Sequence, residues 1–275
     1  MHTISTDGIS DAVADTLFIT LYMRCLETQR SDRIINDPEA CRMVETLKYD
    51  FSVYDAATRS QIGTCIRVRT FDTITTEFIE THADPVIVNL GCGLDTRSNR
   101  IGLDKGVYYN IDLPEVMELR DILLPPDDKN ISIHTSLFDM TWMRDIRNVH
   151  PDADILVLSE GVLMYFTEAE IRPVLEEIAR ILSPGELVFD ACTDFGCKMS
   201  SRHDTIKHTN ARFQWGLNDN TLPEQWAPNI HLHDVSYYMH QEKHRWDTVS
   251  KCMAYIPAFA KAFKMLHYTI APARA

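Results

Sequence analysis

Short runs of apolar residues recur through the middle of the chain, and polar segments separate them. Each run is rich in residues that favour strands and has the length of a buried strand. Five runs fit this description: VIVNL (86–90), VYYNI (107–111), ISIHT (131–135), DILVLS (154–159) and ELVFDA (186–191). Every run except ISIHT precedes a helical or loop segment of suitable length. Because strands that alternate with helices form parallel sheets, the pattern predicts an α/β fold whose sheet is covered on both faces.

The segment between the fourth and fifth runs predicts an amphipathic helix. Thr167 and Glu170 have the spacing of a capping box, and the sequence 183–185, Ser-Pro-Gly, marks the end of the helix. The apolar face consists of Ile171, Val174, Leu175, Ile178, Ile181 and Leu182. Pro173 lies inside this pattern, where proline removes a backbone donor. We therefore expect the helix to start later than Thr167 indicates, or to kink at Pro173.

The rest of the chain is less regular than this middle part. Residues 1–84 show apolar residues at helical spacing, with a break at Asp37-Pro38. Five elements are predicted after residue 192: a helix over 199–215, a loop over 218–229, a strand over 230–238, a helix over 249–264 broken at Pro257, and a closing strand over 265–271.

Composition and charge narrow the range of functions. The chain has 275 residues, 45% of them hydrophobic, which is enough for a substantial core. Its formal net charge of −13 argues against nucleic acid or an anionic membrane as a partner. The seven cysteines form no CxxC pair, and neither a signal peptide nor a long apolar run is present. We therefore expect free thiols and a cytoplasmic location.

A glycine turn follows the first predicted strand. In NLGCGLDTR, Gly91 and Gly93 allow a sharp turn that approaches a ligand, and Asp112 ends the next strand, where it can accept hydrogen bonds from a ribose. Thr96 stands where the dinucleotide motif has its third glycine. Asp95 lies where a diphosphate would bind, and two like charges about 5 Å apart repel by roughly 3 kcal/mol at a dielectric of about 20. The turn therefore favours S-adenosylmethionine over NAD, although Asp95 also suits a helix cap.

Several ordered motifs resemble one known family. They are SDRIINDPEA, IRVRTFDTI, NLGCGLDTR, YYNIDLPEVMELR and SEGVLMYF. Together they are similar to the leucine carboxyl methyltransferase family, and most of all to its bacterial branch of polyketide O-methyltransferases of the tetracenomycin type. The resemblance implies a class I methyltransferase fold with a Rossmann-like, seven-stranded, mostly parallel sheet. It further implies three parts: a helical N-terminal extension that contributes to the cofactor site (1–84), an S-adenosylmethionine-binding core (85–192), and a lid insertion with C-terminal strands (193–275).

The resemblance also implies roles for individual residues. Arg67 is similar to an arginine that binds the cofactor carboxylate, and Arg69 to a second one, although both could lie on a solvated helix face. Gly91 and Gly93 correspond to the cofactor loop, with Asp95 beside it, and Asp112 with the adjacent Leu113 to the ribose site. Glu160 corresponds to a glutamate that faces the methionine end of the cofactor. Where the family has an aspartate-leucine pair beside the adenine, this chain has Ser136-Leu137, so either Ser136 or Asp139 is expected to contact the adenine.

The catalytic group is less defined. Tyr165 follows the same turn as Glu160 and is a candidate for substrate contact or for simple packing. Six histidines of the C-terminal zone are candidate bases: His203, His208, His231, His233, His240 and His244. We take His203 as the first candidate among them. No spacing among them completes a metal site. A carboxylate acceptor would need no base, whereas a phenol with a pKa of about 10 would benefit from one.

The sequence as a whole predicts an S-adenosylmethionine-dependent O-methyltransferase that acts on a small-molecule carboxylate or hydroxyl, with a polyketide-like molecule as one candidate acceptor. Three other hypotheses remain open at this point: a relative that binds the cofactor without catalysis, a protein C-terminal carboxyl methyltransferase, and a nicotinamide-dependent oxidoreductase. The methyl acceptor and the oligomeric state are not readable from the sequence.

Overall fold

Helices form most of the N-terminal part of the protein. The computed structural model describes residues 4–6, 8–9, 11, 13–102, 105–200, 205, 209 and 211–272. Among these residues, no helix has both the length and the hydrophobicity of a membrane span. The first elements in chain order are β1 (Ile4–Ser5), α1 (Leu17–Thr28), α2 (Pro38–Thr46), β2 (Leu47–Lys48) and α3 (Thr58–Thr81). α2 begins at the predicted break, because the Asp37 side chain accepts a hydrogen bond from the Ala40 backbone N–H (3.1 Å).

A seven-stranded sheet forms the centre of the molecule, as predicted. Its strands are β3 (Val86–Leu90), β4 (Val107–Asp112), β5 (Asn130–His134), β6 (Ile155–Ser159), β7 (Gly185–Cys192), β8 (Ile230–Tyr237) and β9 (Phe263–Ile270). Their order is β5-β4-β3-β6-β7-β9-β8, and β9 runs antiparallel to both of its neighbours. The order reverses between β3 and β6, and the carboxyl ends of such strands are where open α/β sheets bind their ligands.

Helices cover the sheet on both faces. Those of the core are α4 (Arg97–Ile101), α5 (Pro114–Leu123), α6 (Thr141–Val149) and α7 (Glu168–Ile181), and the C-terminal part adds α8 (Asp194–Met199), α9 (Leu222–Trp226), α10 (Thr248–Met253) and α11 (Pro257–Ala260). α3 buries Ile66, Phe71 and Phe78 against one face, in contact with the cluster that includes Ile87 and Leu158. α6 and α7 pack against the opposite face. α6 also follows the ISIHT strand, so the expectation that this strand lacks a following helix was wrong.

α7 starts where its capping box predicts. The Thr167 backbone N–H donates to the Glu170 carboxylate (2.7 Å), and the helix begins at Glu168 and continues through Pro173. A later start was therefore a wrong expectation. The cap fixes the first turn, and the fully buried Ile171 and Val174 hold the segment against the sheet on either side of the proline.

The C-terminal part departs from the prediction at one place. A helix is expected over 199–215, but α8 already ends at Met199, where the expected helix begins. Residues 211–215 are not helical. Residues 201–204, 206–208 and 210 of that range lie outside the described residues. The Leu217 N–H donates to Cys192 O (2.8 Å) and the Gln214 N–H to Met164 O (2.8 Å). The segment therefore satisfies its backbone along the carboxyl end of the sheet, which a helix would prevent.

The other predicted C-terminal elements are close to those observed. The strands β8 and β9 lie within a few residues of their predicted bounds. The expected loop over 218–229 contains the short helix α9, and the broken helix over 249–264 is formed by α10 and α11, with Pro257 opening the second.

A buried ion pair ties the first helix to the C-terminal part of the chain. Glu27 of α1 is fully buried and accepts hydrogen bonds from Arg245 through both oxygens (2.8 and 3.0 Å), from the Ile34 N–H (2.6 Å) and from Gln61 (2.8 Å). Burial alone raises the pKa of Glu27, but Arg245 and the backbone donor outweigh it, so that the pKa lies below its usual value. The charged form of Glu27 therefore stabilises the fold fully at pH values above the pKa of an unfolded glutamate. This contribution is lost as pH falls through the lowered pKa of the folded state.

We expect Glu27→Ala to lower the free energy of unfolding by about 3–5 kcal/mol at pH 7, because it removes the bidentate partner of the buried Arg245 guanidinium and leaves Asp32 as its remaining partner. Glu39→Ala is the matched control, since Glu39 lies on α2 and pairs with Arg42 at the surface; it should cost less than about 1 kcal/mol. Urea denaturation followed by circular dichroism measures both. Equal losses in the two variants would contradict this assignment.

Candidate cofactor and acceptor site

A cavity of about 320 Å³ lies at the carboxyl ends of β3, β4 and β6. We call it the glycine-loop cavity. Its lining includes Thr16, Thr20, Arg67, Asn89, Gly91, Gly93, Asp95, Asp112, Leu113, Ser136, Leu137, Phe138, Glu160, Gly161 and Val162. Strand register explains the assembly, because Leu90 pairs with Ile111 and Asn89 with Leu158, so the residues that follow β3, β4 and β6 meet at one edge. Nine of the ten residues predicted to bind the cofactor lie in this lining; Arg69 does not.

The first glycine of the turn has no room for a side chain. Gly91 has φ +64°, and a Cβ atom at this position would lie 2.5 Å from Cγ2 of Val162. The turn is held to the neighbouring strand by hydrogen bonds from the Gly91 and Cys92 N–H groups to Ile111 O (2.8 and 3.2 Å). Only glycine satisfies both the left-handed backbone and the close approach of Val162.

Asp112 presents a carboxylate to the cavity from the end of β4. Its Oδ2 accepts the Gly93 N–H (2.7 Å), and its Oδ1 accepts the Leu113 N–H (2.8 Å). Burial raises the pKa of Asp112 to about 6, although these two backbone donors act in the opposite direction. The carboxylate is thereby fixed in orientation while its remaining lone pairs stay available to accept hydrogen bonds from a ligand.

Asp95 has a different environment from the one the sequence predicts. It lines the cavity and caps the following helix through the Arg97 N–H (3.1 Å), but it also forms ion pairs with Arg97 (3.1 Å) and Arg100 (3.2 Å). Burial opposes its charge, yet the two guanidinium groups hold its pKa well below the usual range. The argument that Asp95 repels a diphosphate was therefore incomplete, because its charge is compensated within the protein.

The partners of Asp95 carried a signal in the sequence that was not used. Arg97 and Arg100 stand two and five residues after Asp95, in the order DTRSNR. Neither spacing is the i,i+3 or i,i+4 spacing of a helical pair, so the signal was only the presence of two arginines within five residues of the aspartate.

Arg67 lines the cavity and is itself buried. Its Nε donates to Glu160 Oε1 (3.0 Å) and its Nη1 to Asp190 Oδ2 (3.0 Å). Burial disfavours the charge, but Asp190 and Glu160 raise the pKa of Arg67 well above its usual value. The other oxygen of Glu160 pairs with Arg97. Glu160 therefore stays in place between two buried guanidinium groups.

Gly161 and Asp190 are functional residues that the sequence analysis missed. Gly161 has φ +73°, and a Cβ atom there would lie 2.9 Å from Nη1 of Arg67. Glycine at this position therefore leaves room for the guanidinium. Asp190 of β7 is almost fully buried and accepts the Gly161 N–H (2.5 Å) as well as Arg67. Gly161 directly follows Glu160 in the SEGVLMYF motif, whereas Asp190 had only its place near the end of a strand as a signal.

Arg69 points away from the cavity, which corrects its predicted role. Its guanidinium pairs with Glu242, and its Nη2 donates a hydrogen bond to Oε1 of Gln241 (3.2 Å). Two residues on a helix correspond to a rotation of about 200°, so Arg67 and Arg69 cannot face the same side of α3. Of the two predicted arginines, the structure brings only Arg67 to the site.

The segment after β5 places Ser136, and not Asp139, on the wall of the cavity. Ser136 and Leu137 line the glycine-loop cavity. The Asp139 carboxylate instead accepts hydrogen bonds from the hydroxyl (2.8 Å) and the N–H (3.3 Å) of Thr141 and does not line the cavity. If this region receives an adenine, Ser136 and Leu137 are the residues placed to contact it.

A second cavity, of about 290 Å³, adjoins the first. We call it the aromatic cavity. Its lining includes Thr16, Thr20, Arg59, Arg67, Gly161, Met164, Tyr165, Asp190, Phe195, Phe213, Tyr238, Trp246, Met253, Phe259 and Phe263. Four of these residues line both cavities: Thr16, Thr20, Arg67 and Gly161. The two spaces therefore meet at Arg67, and an apolar molecule in the second would lie beside a ligand in the first.

The two candidate catalytic residues have different outcomes. Tyr165 lines the aromatic cavity, and burial raises its pKa to about 12, so its phenol stays protonated at neutral pH. His203, like His208, lies outside the described residues. The other four candidate histidines line neither cavity. In the part of the chain that the structure describes, no three His, Cys, Asp or Glu side chains are placed to hold a metal ion.

Comparison with known proteins identifies the family. The model of the leucine carboxyl methyltransferase family matches residues 18–179, which is more than half of the chain. The chain belongs to the leucine carboxyl methyltransferase family. Tetracenomycin polyketide synthesis O-methyltransferase TcmP of Streptomyces glaucescens is 28% identical over 94% of this chain and 96% of its own. The S-adenosyl-L-methionine-dependent methyltransferase dpfgK of Gibberella zeae is 25% identical over 82% of each chain.

Solved structures agree on the fold. Geranyl diphosphate methyltransferase in complex with S-adenosylmethionine aligns with a TM-score of 0.51 at 13% identity, over 79% of this chain and 92% of that chain. Magnesium protoporphyrin IX methyltransferase of Synechocystis aligns with a TM-score of 0.50 at 11% identity, over 80% and 92%. The fold is that of class I methyltransferases, and the protein is an S-adenosylmethionine-dependent methyltransferase.

We expect Gly91→Ala to weaken binding of S-adenosylhomocysteine by at least about tenfold, because the new Cβ must displace Val162 and the turn. Gly102→Ala is the matched control: Gly102 also has a positive φ (+70°), but a Cβ there meets nothing within 4 Å. It should leave the affinity within about twofold of the parent. Isothermal titration calorimetry measures both, and equal affinities in the two variants would show that the close approach is unimportant.

The raised pKa of Asp112 predicts pH-dependent binding. As pH falls through about 6, Asp112 gains a proton and loses capacity to accept hydrogen bonds. S-adenosylhomocysteine should therefore bind about tenfold more weakly at pH 5 than at pH 7.5. Asp112→Asn, which has no ionisable group, should remove most of this dependence. The same pH profile in that variant would assign the effect to another group.

Proposed function

We propose that this methyltransferase transfers a methyl group to an oxygen atom of a small apolar molecule, a carboxylate or a hydroxyl on a polyketide-like skeleton. The observation that carries the proposal is the meeting of the glycine-loop cavity and the aromatic cavity at Arg67 and Gly161. The similarity to TcmP, whose name describes a polyketide O-methyltransferase, supports the choice of oxygen and of this substrate class.

The residues of the glycine-loop cavity fit S-adenosylmethionine. Gly91 and Gly93 line the cavity with backbone alone, and the half-buried Asp112 carboxylate suits two ribose hydroxyls. Ser136 and Leu137 lie where the adenine would pack. We assign these residues, with Asp95 and Leu113 beside them, to the nucleoside half of the cofactor.

The methionine half is assigned to the charged end of the cavity. The guanidinium of Arg67 suits a carboxylate and the carboxylate of Glu160 suits an ammonium, so the pair offers one group of each sign to an amino acid. Because Arg67 and Glu160 are also bound to each other and to Asp190 and Arg97, their positions are fixed before a ligand arrives. Such preorganisation reduces the entropy lost on binding.

The aromatic cavity is the proposed acceptor site. S-adenosylmethionine, when bound, supplies a methyl group that is already activated by its sulfonium. The protein then has to hold the acceptor oxygen in line with that group, and such positioning is worth up to roughly 7–11 kcal/mol in favourable cases. Aromatic and methionine side chains on the cavity walls bind an apolar skeleton and exclude water from the site.

Two measurements test this function. Isothermal titration with S-adenosylhomocysteine should give an affinity in the micromolar range, and Asp112→Ala should weaken it by at least about tenfold because the ribose loses its acceptor. NAD, tested in the same way, should not bind. Failure of the parent protein to bind S-adenosylhomocysteine would contradict the cofactor assignment.

Methyl transfer from radiolabelled S-adenosylmethionine tests the acceptor class. Small aromatic acids and phenols should be methylated, whereas a peptide ending in a leucine carboxylate should not. Transfer to the peptide alone would instead indicate a protein C-terminal carboxyl methyltransferase.

A further inference from the structure

Two thiols meet at the carboxyl end of β7, beside the aromatic cavity. Cys192 is the last residue of β7, and Cys197 lies on α8. Their Sγ atoms are 2.9 Å apart, which is within hydrogen-bond distance, and both cysteines are free thiols. Cys192 is fully buried, whereas Cys197 is half-buried. Cys197 is therefore the more accessible thiol of the pair.

The start of α8 brings the two thiols together. The Thr193 side chain accepts the Gly196 N–H (3.3 Å), and Thr193 O accepts the Cys197 N–H (2.9 Å). A Cβ atom at Gly196 would lie 2.8 Å from Cβ of Cys192 and 2.9 Å from Ala262 O, so glycine is needed for the helix to lie this close to the strand. A helix cap and a glycine beside Cys197 thus set the contact between the sulfurs.

The hydrogen bond between the thiols makes them chemically different. The hydrogen bond from Cys192 lowers the pKa of Cys197, and this effect outweighs that of burial. The same hydrogen bond, together with burial, raises the pKa of Cys192 well above its usual value. Because the thiolate is the nucleophile, Cys197 is suited to attack an oxidant. Cys192 keeps its proton and stays in contact as a second thiol, which is the arrangement of oxidant-sensitive cysteine pairs.

We propose that Cys192 and Cys197 form a peroxide-reactive dithiol site that closes to a reversible disulfide. In the first step the Cys197 thiolate attacks a peroxide oxygen: the S–O bond forms, the O–O bond breaks, and the leaving hydroxide takes up the proton that the thiol released. In the second step the Cys192 sulfur attacks the Cys197 sulfur: the S–S bond forms, the S–O bond breaks, and hydroxide leaves with the Cys192 proton as water. The thiols lose two electrons, and the peroxide is reduced to two waters.

The disulfide would act on a wall of the aromatic cavity. Phe195, Gly196 and Met199 of α8 line this cavity. A disulfide has a sulfur–sulfur distance of about 2.0 Å, so a movement of about 1 Å joins the two sulfurs and ties α8 to the sheet. Neither cysteine lines the glycine-loop cavity. Oxidation should therefore fix one wall of the proposed acceptor site and leave the cofactor site unchanged.

Hydrogen peroxide, added to the reduced full-length protein, tests the site. Both cysteines fall in the tryptic peptide 181–198, so the disulfide appears as the loss of two hydrogens and as resistance to alkylation. We expect this peptide to be oxidised at least about fivefold faster than Cys252, although Cys252 is exposed, and dithiothreitol to reverse the reaction. Equal or faster oxidation of Cys252, or a product that dithiothreitol does not reduce, would overturn the inference.

Single variants test the two roles. Cys192→Ser should stop at the sulfenic acid of Cys197, which dimedone traps, and Cys197→Ser should give neither this adduct nor the disulfide. Cys252→Ser is the matched control and should form the disulfide at the rate of the parent. Absence of the adduct in Cys192→Ser would show that Cys197 is not the attacking thiol. If either variant does not fold by circular dichroism, the peptide map of the parent still decides whether the disulfide forms.

Hydrogen exchange tests the effect on the cavity wall. The amide hydrogens of α8 should exchange at least about fivefold more slowly in the oxidised protein than in the reduced one, because the covalent bond suppresses local opening. Peroxide-treated Cys197→Ser should not show this protection. The affinity for S-adenosylhomocysteine should stay within about twofold. Unchanged exchange in α8 would remove the effect on the wall, and a larger loss of affinity would place the effect at the cofactor site instead.

Discussion

The site depends on guanidinium groups that are buried at the carboxyl edge of the sheet. Arg67 of α3 and Arg97 of α4 both pair with Glu160, which follows β6, and Arg67 also pairs with Asp190 of β7. Charges removed from water are tolerated only when they are paired and hydrogen-bonded, so each of these residues requires the others to be in place. This mutual requirement positions α3 and α4 against the carboxyl ends of β6 and β7, beside the two cavities.

The same network gives the two cavities different characters. In the glycine-loop cavity it presents a fixed cation and a fixed anion together with the Asp112 carboxylate, which suits a zwitterionic nucleoside. In the aromatic cavity its charges are compensated among themselves, and methionine and aromatic side chains form a large part of the walls. Arg67 and Gly161 belong to both linings, so the polar and apolar spaces open onto one another where a group could pass between their ligands.

Much of the fold was readable because it follows from local rules. The alternation of apolar strands and helices predicted the sheet, the Thr167 capping box predicted the start of α7, and the ordered motifs led to the family that the comparison confirmed. Errors arose where distant residues decide. The segment over 211–217 bonds to Met164 and to the end of β7, and its residues 211–215 are not helical. Pro173 is accommodated because buried neighbours hold its helix. Asp95 was assigned a free charge because its arginine partners were not considered.

The sequence by itself determined most of the elements, the family and the glycine turn, because spacing and glycine positions act within a few residues of one another. The tertiary structure decided which side chains share a site. It separated Arg67 from Arg69 by their opposite directions on one helix, and it brought Asp190 and Tyr238, far apart in the chain, to the junction of the two cavities. Such pairings depend on how helices pack on a sheet, and packing joins residues whose separation in sequence carries no pattern.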